Sequence, residues 1–113
     1  MCFGGKMKTV TICGSMKFEN EMRKIAFILE TEKNMNVLQC VYNTENKELS
    51  EDDICALEAA HYRKIELSDA IYVVDINGYI GSSVSKEISF AEAHKKDIIF
   101  HSQHDLHGSE AIC

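Results

Sequence analysis

The sequence has no long apolar run. The longest candidates are Ala70–Val74 and Ile98–Phe100. A helix needs about 20 apolar residues to cross a bilayer, and both runs are far shorter. No N-terminal segment combines a basic start, a long apolar stretch and a small-residue cleavage site. We therefore expect a protein that is neither membrane-bound nor secreted, and the expected location is cytoplasmic.

Cysteine pairs at close spacing are also missing. The chain contains no Cys-x-x-Cys motif, and its cysteines are odd in number and widely spread: Cys2, Cys13, Cys40, Cys55 and Cys113. This pattern is typical of reduced thiols in a cytosol, and it argues against a disulfide framework or a zinc site. We expect no metal and no cofactor.

Acidic residues outnumber basic residues in the sequence. Twelve Lys and Arg face eighteen Asp and Glu, which gives a net charge of -6 at pH 7, and no basic stripe is interleaved with aromatic residues. A nucleic-acid polymer is therefore a disfavoured partner. The sequence also has no proline, repeat or low-complexity linker. We expect one domain over residues 1–113, with a core at about 8–101 and a tail at 102–113.

Short apolar segments alternate with segments of helical periodicity. Strands are predicted at Lys8–Cys13, Val37–Tyr42, Ala70–Ile76 and Asp97–His101. Three helices are predicted between them from apolar residues spaced by three and four. In the first helix these residues are Phe18, Met22, Ile25 and Leu29, and in the second they are Ile54, Leu57, His61 and Ile65. Ser50 and Asp53 form a capping-box signal at the start of the second helix.

Apolar strands that alternate with amphipathic helices predict a parallel sheet covered on both faces. With right-handed crossovers, the expected fold is a three-layer α/β/α sandwich. Its four-stranded, or at most five-stranded, parallel sheet should have the flavodoxin-like order 2-1-3-4. Ligands of such sheets bind beyond the carboxyl ends of the strands, where the strand order reverses. The loops predicted to meet there are Gly14–Lys17 and Asn77–Ser83.

The first of these loops carries Gly14, Ser15 and Met16 directly after the first strand. Glycine lets a ligand approach the backbone, and the N–H groups at a helix start favour an anion such as phosphate. The alternative is a tight turn with Ser15 as the N-cap, which any such crossover needs.

The second loop is longer and richer in functional groups. Its glycines permit positive φ, and either serine at its end can cap the third helix. Extra length at a ligand-binding edge favours a functional role, although a purely structural loop is the alternative. The candidate ligand-binding residues are Asn77, Gly78, Tyr79, Gly81, Ser82 and Ser83.

Two carboxylates are candidates for catalysis. With Ser83 as the N-cap, Glu87 lies about one turn into the third helix, near the positive end of the dipole, and faces the cleft from the edge of the core. Asp75 lies near the end of the third strand in an apolar setting, where burial needs a partner or a task. Two carboxylates that converge on a cleft can divide nucleophilic and acid–base work.

The histidines favour structural roles. His61 lies in the middle of the apolar face of the second helix, which runs away from the binding edge, so a satisfied core histidine is expected. His101, His104 and His107 are spaced by threes near the end of the sequence. They are candidates for gathering a metal, and a solvated terminus explains them equally well.

Three stretches, TVTICGSMKF, HYRKIELSDAIYVVDI and NGYIGSSVSKEISFAEAHKKDIIF, resemble the nucleoside 2-deoxyribosyltransferase-like superfamily, which includes nucleoside 5′-monophosphate N-glycosidases. The resemblance spans roughly residues 8 to 101. The block Ser83–Ala91 is similar to the family's Gly-Thr-x-x-Glu-x-Gly-Tyr-Ala. By this match, Glu87 would attack C1′ of the sugar, form a glycosyl-enzyme intermediate and release the base.

The chain departs from the family pattern at several positions. Ser83 and Ser89 stand in place of two family glycines. No tyrosine follows the first strand, and Tyr79 is a candidate to take the role of the family's tyrosine. The expected activity is cleavage or transfer at the N-glycosidic bond of a nucleoside or nucleoside 5′-monophosphate. The serines tilt the expectation towards the phosphorylated ligand. A non-catalytic nucleotide-binding sensor on the same fold is the alternative.

A homo-oligomer is expected as well. The fourth strand should lie at a sheet edge, and Phe90 and His94 should lie outside the stripe that contacts the sheet, where a second subunit can cover them. The resemblance implies the same arrangement, because enzymes of this family complete each site with residues of an adjacent chain.

Overall fold

The computed structural model describes residues 7–104, which form a parallel sheet flanked by helices on both faces. The strands are β1 (Lys8–Gly14), β2 (Met35–Leu38), β3 (Ala70–Val74) and β4 (Asp97–Phe100). The α-helices are α1 (Glu19–Glu32), α2 (Glu51–Leu67) and α3 (Ser82–Ala93). Short 3-10 helices cover Met16–Phe18, Ile76–Gly78 and His101–Gln103.

The sheet has the order β2-β1-β3-β4, and all neighbouring strands are parallel. This confirms the predicted order 2-1-3-4 with four strands in the described part of the chain. In the central pair, Val10 of β1 lies opposite Ala70 of β3, and Gly14 lies opposite Val74. The two central strands therefore end together at the carboxyl edge.

The two faces of the sheet carry separate apolar cores, which confirms the three-layer sandwich. On one face Val10, Ile12 and Tyr72 pack with the apolar stripe of α1. On the other face Cys13, Ile71 and Val73 pack with α2 and α3. Strands β1, β3 and β4 supply both cores because successive side chains point to opposite faces. All five residues of β3 are buried, as the continuous apolar run predicts.

Strands β2, β3 and β4 end earlier than predicted. The chain leaves β2 after Leu38 and enters an irregular segment that lasts to Ser50, whereas the apolar pattern predicted a strand through Tyr42. Apolar residues continue beyond the strand because Cys40 and Tyr42 still pack against the α1-side core. Burial and strand pairing therefore end at different residues.

Helix α2 begins with the predicted capping box. The Ser50 hydroxyl accepts from the Asp53 backbone N–H at 3.1 Å, and the Asp53 carboxylate accepts from the Ser50 N–H at 3.1 Å. These two bonds satisfy donors that the first turn of a helix leaves without intrahelical partners.

The predicted apolar face of α2 is buried only near its C-terminus. Ile65 is fully buried, whereas Ile54 and Leu57 are 44% and 36% exposed. At about 1.5 Å per helical residue and about 3.3 Å per strand residue, α2 is about 25 Å long and β3 about 16 Å. Because α2 ends just before β3 begins, its first turns project beyond the carboxyl edge of the sheet.

Phe90 does not need a second subunit to cover it. The ring of Phe90 packs edge-on against Tyr62 of α2, with centroids 4.8 Å apart, and stacks on His94 at 4.0 Å. The cover predicted from a second chain is thus supplied within the chain. Strand β4 does lie at a sheet edge, and the oligomeric state stays a prediction.

Exposed apolar side chains cluster elsewhere, on the projecting part of α2 and the segment before it. They include Val41, Leu49, Ile54 and Leu57. Within residues 7–104, none of the helices is long and apolar enough to cross a membrane.

The capping box is a measurable part of the stability. We expect Ser50→Ala to lower the free energy of unfolding by about 1 kcal/mol at pH 7, because one N-terminal donor of α2 loses its acceptor. Urea unfolding followed by circular dichroism measures this loss. Ser85→Ala, at an exposed position within α3, is the matched control and should change stability by less. Equal effects of the two changes would contradict the assignment.

The contribution of this box also depends on pH. The hydrogen bonds from Ser50 lower the pKa of the Asp53 carboxyl in the folded state. Stability from this carboxylate is therefore present above its unfolded pKa and is lost as pH falls through the lower folded value.

Candidate active site

A cleft of about 440 Å³ opens at the carboxyl edge of the sheet. Its volume lies within the range of small-molecule sites in proteins. Three parts of the chain line it: the turn after β1, the loop and first turns of α3, and the β2–α2 side of the domain. The lining residues are Gly14, Ser15, Met16, Cys40, Val41, Asn43, Leu49, Leu57, Glu58, His61, Tyr79, Gly81, Ser82, Ser83, Val84 and Glu87.

The two loops predicted to meet at this edge do so. The rings of Phe18 and Tyr79 contact edge to face, with centroids 5.9 Å apart. The Lys17 ammonium lies 3.4 Å from the centre of the Tyr79 ring, a cation–π contact at the cleft. Most of the predicted ligand-binding residues of both loops line the same space, including Gly14, Ser15 and Tyr79.

Asn77 and Gly78 are the exceptions among the predicted ligand-binding residues. Both are exposed and neither lines the cleft. They adopt positive φ, 54° at Asn77 and 77° at Gly78, in a tight turn where the Gly78 N–H donates to Asp75. Their residue types therefore serve the backbone geometry of the loop. Gly81, the other glycine of the loop, has an ordinary φ of -77°.

The start of α3 differs from the prediction. Gly81 is the N-cap and no side chain caps this helix, so neither Ser82 nor Ser83 has the predicted capping role. Ser82 is the first helical residue, which makes Glu87 the sixth. The helix-dipole support for Glu87 is correspondingly weaker than predicted, because that effect falls off within the first turn.

Glu87 lies beside a histidine. Its Oε1 is 3.3 Å from His61 Nε2, and the side chains of Glu87 and His61 are 16% and 12% exposed. The same Nε2 is 3.5 Å from the Sγ of Cys13, near the end of β1. Burial, and next the Glu87 carboxylate, hold the pKa of the Cys13 thiol well above its usual value. Cys13 is therefore a neutral thiol at neutral pH rather than a nucleophile.

The prediction of a satisfied core histidine at His61 is wrong. His61 lines the cleft, and its buried Nδ1 has no hydrogen-bond partner among the described residues. Helix α2 does run away from the binding edge, but it starts beyond that edge. His61 lies six residues before Leu67, about 9 Å along the helix, which is level with Cys13 in the sheet. The sequence signal that could have placed His61 in the cleft is the length of α2, which exceeds that of β3.

Sequence reasoning also missed the β2–α2 wall of the cleft. This wall includes Cys40, Asn43, Leu57 and Glu58. In the order β2-β1-β3-β4, β2 lies next to β1 and ends at the same edge, so the segment that follows it borders the same space. The prediction covered only the point where the strand order reverses, and it therefore did not include the segment after β2.

Asp75 is buried but is not among the lining residues of the cleft. Its carboxylate accepts the Ser102 backbone N–H at 2.8 Å and the Ser102 hydroxyl at 2.6 Å. The structure does not bring Asp75 together with Glu87 in the cleft; it gives Asp75 the partner that a buried carboxylate requires. A catalytic role of Asp75 stays a prediction, and its observed contacts are structural.

The histidines after β4 are not a solvated terminus as far as the structure describes them. His101 and His104 each place Nδ1 2.9 Å from the Tyr72 hydroxyl, and both are partly buried. Burial, with a smaller contribution from Asp75, raises the pKa of Tyr72. Neither histidine belongs to a metal-competent cluster among the described residues. His107 lies outside them.

The architecture defines a class: a parallel α/β sandwich with a cleft at the carboxyl edge of the sheet. Among solved structures, Clostridium botulinum CMP N-glycosidase BcmB is similar, with a TM-score of 0.55 and 23% identity over 82% of this chain and 70% of that one. A conserved protein from Enterococcus faecalis has a TM-score of 0.59 and 15% identity over 95% of this chain and 73% of that one. At these identities the similarity establishes the fold. No protein-family model matches the sequence, and no curated protein matches it by sequence.

The contact between Asp75 and Ser102 can be tested by a double-mutant cycle. We expect Asp75→Asn and Ser102→Ala each to lower the free energy of unfolding by about 1–3 kcal/mol, because each leaves a buried polar group without its partner. The double variant should lose less than the sum, with a coupling energy of at least about 0.5 kcal/mol. Chemical denaturation measures all three. Strict additivity would show that the pair does not hold the end of β4 to β3.

Proposed function

We propose that this protein cleaves the N-glycosidic bond of a nucleoside 5′-monophosphate or nucleoside, with Glu87 as the nucleophile. One observation carries the proposal: a partly buried carboxylate faces a cleft of nucleotide size at the ligand-binding edge of the sheet. The resemblance of Ser83–Ala91 to the family block that holds the nucleophile supports it. The fold shared with a CMP N-glycosidase is consistent with it.

The chemistry needs an anion next to C1′ of the sugar. The transition state of glycosidic cleavage is oxocarbenium-like, and a fixed carboxylate stabilises it and then captures the sugar covalently. Glu87 is suited to this task because α3 and the contact with His61 hold it in place, while part of its side chain remains open to the cleft. Water or a second base would then complete hydrolysis or transfer.

The aromatic and cationic groups at the mouth of the cleft suggest how a substrate lies. Among the described residues no Lys or Arg lines the cleft, and its charged lining groups are Glu58, Glu87 and, when protonated, His61. A phosphate is therefore expected at the mouth, near Lys17 and the backbone N–H groups that follow Ser15 and Gly81. The sugar would then lie between this end and Glu87.

The second carboxylate of the reaction is better sought at Glu58 than at Asp75. Glu58 lines the cleft on the α2 side, whereas both oxygens of Asp75 are engaged by Ser102. A second carboxyl group in the cleft can protonate the departing base or activate water. In this proposal, Glu58 is the candidate for that role and Asp75 supports the fold.

The second candidate function is nucleotide binding without catalysis. It is favoured by the position of Asp75, which does not line the cleft. The predicted pair of catalytic carboxylates is therefore incomplete. The two functions share every binding contact and differ in whether free base appears. Incubation with a panel of nucleosides and 5′-monophosphates, followed by chromatography of the bases, separates them.

Glu87 provides the sharpest test of catalysis. We expect Glu87→Gln to reduce base release by about 10³-fold or more while ligand affinity stays within a few-fold, because a transition-state interaction is lost. Chromatography measures turnover and calorimetry measures binding. Glu92→Gln, which neutralises an exposed carboxylate on the same helix, is the control and should retain activity. Wild-type turnover by folded Glu87→Gln protein would remove Glu87 from the mechanism.

The phosphate end of the cleft can be tested separately. We expect Lys17→Ala and Ser82→Ala to weaken binding of a 5′-monophosphate by about tenfold, with a much smaller effect on the matching nucleoside, because each removes a phosphate donor. Lys24→Ala, which removes an exposed lysine of α1, controls for net charge. Equal losses for nucleotide and nucleoside would mean that these groups do not contact phosphate.

A further inference from the structure

Three potential metal ligands converge at the inner wall of the cleft. The Sγ of Cys13, the Nε2 of His61 and a carboxylate oxygen of Glu87 all lie within 4.8 Å of one another. They come from β1, α2 and α3, three elements that the fold holds rigidly together. His61 and Glu87 line the cleft, so an ion can reach the cluster from it.

The Nε2 atom of His61 has two polar neighbours in this cluster. His61 Nε2 carries at most one hydrogen, yet both Cys13 and Glu87 approach it. If Nε2 is protonated, it donates to Glu87, and the Cys13 thiol has the Thr11 backbone carbonyl as its acceptor at 3.9 Å. If Nε2 is not protonated, it accepts from Cys13, and its lone pair meets the Glu87 carboxylate without a proton between them. A cation could accept an electron pair from each of the three atoms at once.

Two of the three separations match those of ligands around a tetrahedral ion, and the third, from Cys13 to Glu87, is no more than 4.8 Å. Around a zinc ion with ordinary bond lengths, a nitrogen and an oxygen ligand lie about 3.3 Å apart, and a sulfur and a nitrogen ligand about 3.5 Å apart. The measured separations are 3.3 Å for His61 to Glu87 and 3.5 Å for Cys13 to His61. Each of these two pairs therefore needs little movement to bind one ion.

We propose that Cys13, His61 and Glu87 form a site for a divalent transition-metal ion of the zinc class, with a fourth position open to the cleft. A thiolate, an imidazole and a carboxylate together suit Zn²⁺ and Co²⁺, whereas Mg²⁺ and Ca²⁺ prefer oxygen ligands alone. On binding, the Cys13 thiol releases its proton to solvent and its sulfur bonds to the metal. The sequence predicted no zinc site because it contains no Cys-x-x-Cys motif. That motif is not required here, because the three ligands are far apart in the sequence.

Metal binding and the nucleophilic role of Glu87 exclude each other. A carboxylate that coordinates the ion cannot attack C1′, so Zn²⁺ should inhibit base release. This consequence rests on the proposed function, whereas binding of the metal does not.

The experiment is a Co²⁺ titration of the reduced full-length protein with a non-thiol reductant. We expect visible absorption bands of four-coordinate cobalt, a near-ultraviolet thiolate-to-cobalt charge-transfer band, one ion per chain, and bleaching of both signals by Zn²⁺. Cys13→Ser should abolish the charge-transfer band. His61→Asn and Glu87→Gln should each weaken binding by at least about tenfold, because losing a ligand costs no less than losing its supporting partner.

Matched variants separate this site from other thiols and histidines. Cys55→Ser, His94→Ala and Glu58→Gln change an exposed cysteine, an exposed histidine and another cleft carboxylate, and each should bind cobalt as the wild type does. A charge-transfer band that survives in folded Cys13→Ser protein, or octahedral cobalt with no thiolate signal, would overturn the proposal. Glu87→Gln tests the same site at a partly exposed side chain, so a folding defect of Cys13→Ser does not decide the result.

Discussion

The pairing of β1 with β3 is the constraint on which the rest of the structure depends. These strands lie at the centre of the sheet, each is covered on both faces, and their register makes them end together. A parallel pair buried on both faces cannot slip without exposing apolar side chains and breaking backbone hydrogen bonds. The common end of β1 and β3 therefore fixes where the turn after Cys13 and the loop after Asp75 leave the sheet, and so fixes the position of the cleft.

Polar contacts near the ends of the strands reinforce the arrangement of the sheet. At the amino end, the buried hydroxyls of Thr11 and Ser68 lie 2.6 Å apart, and Asp69 accepts the Thr9 backbone N–H at 2.8 Å. At the carboxyl end, Asp75 holds Ser102 after β4. Thr11, Ser68 and Asp75 are buried, and buried polar groups are favourable only with their partners in place, so these three penalise alternative arrangements of the strands.

Helix α2 gives the cleft its depth. Because the helix is longer than the strands it covers, its first turns rise above the sheet and form a wall opposite α3. The same projection brings His61 level with Cys13 and Glu87, and it leaves Ile54 and Leu57 partly exposed. The length of α2 relative to the strands thus accounts for both the polar cluster in the cleft and the apolar surface beside it.

The sequence by itself determined the layers, the strand order, the apolar stripe of α1, the capping box of α2 and the edge at which a site could form. These features follow from local periodicity and from general rules of chain connection, which short stretches of sequence contain. Only the tertiary structure decided that His61 rather than Asp75 accompanies Glu87, that Asn77 and Gly78 shape the backbone of the loop, and that Phe90 is covered by Tyr62. The positions of His61 and Phe90 depend on how neighbouring elements are placed relative to one another, which is set by packing between residues distant in the sequence.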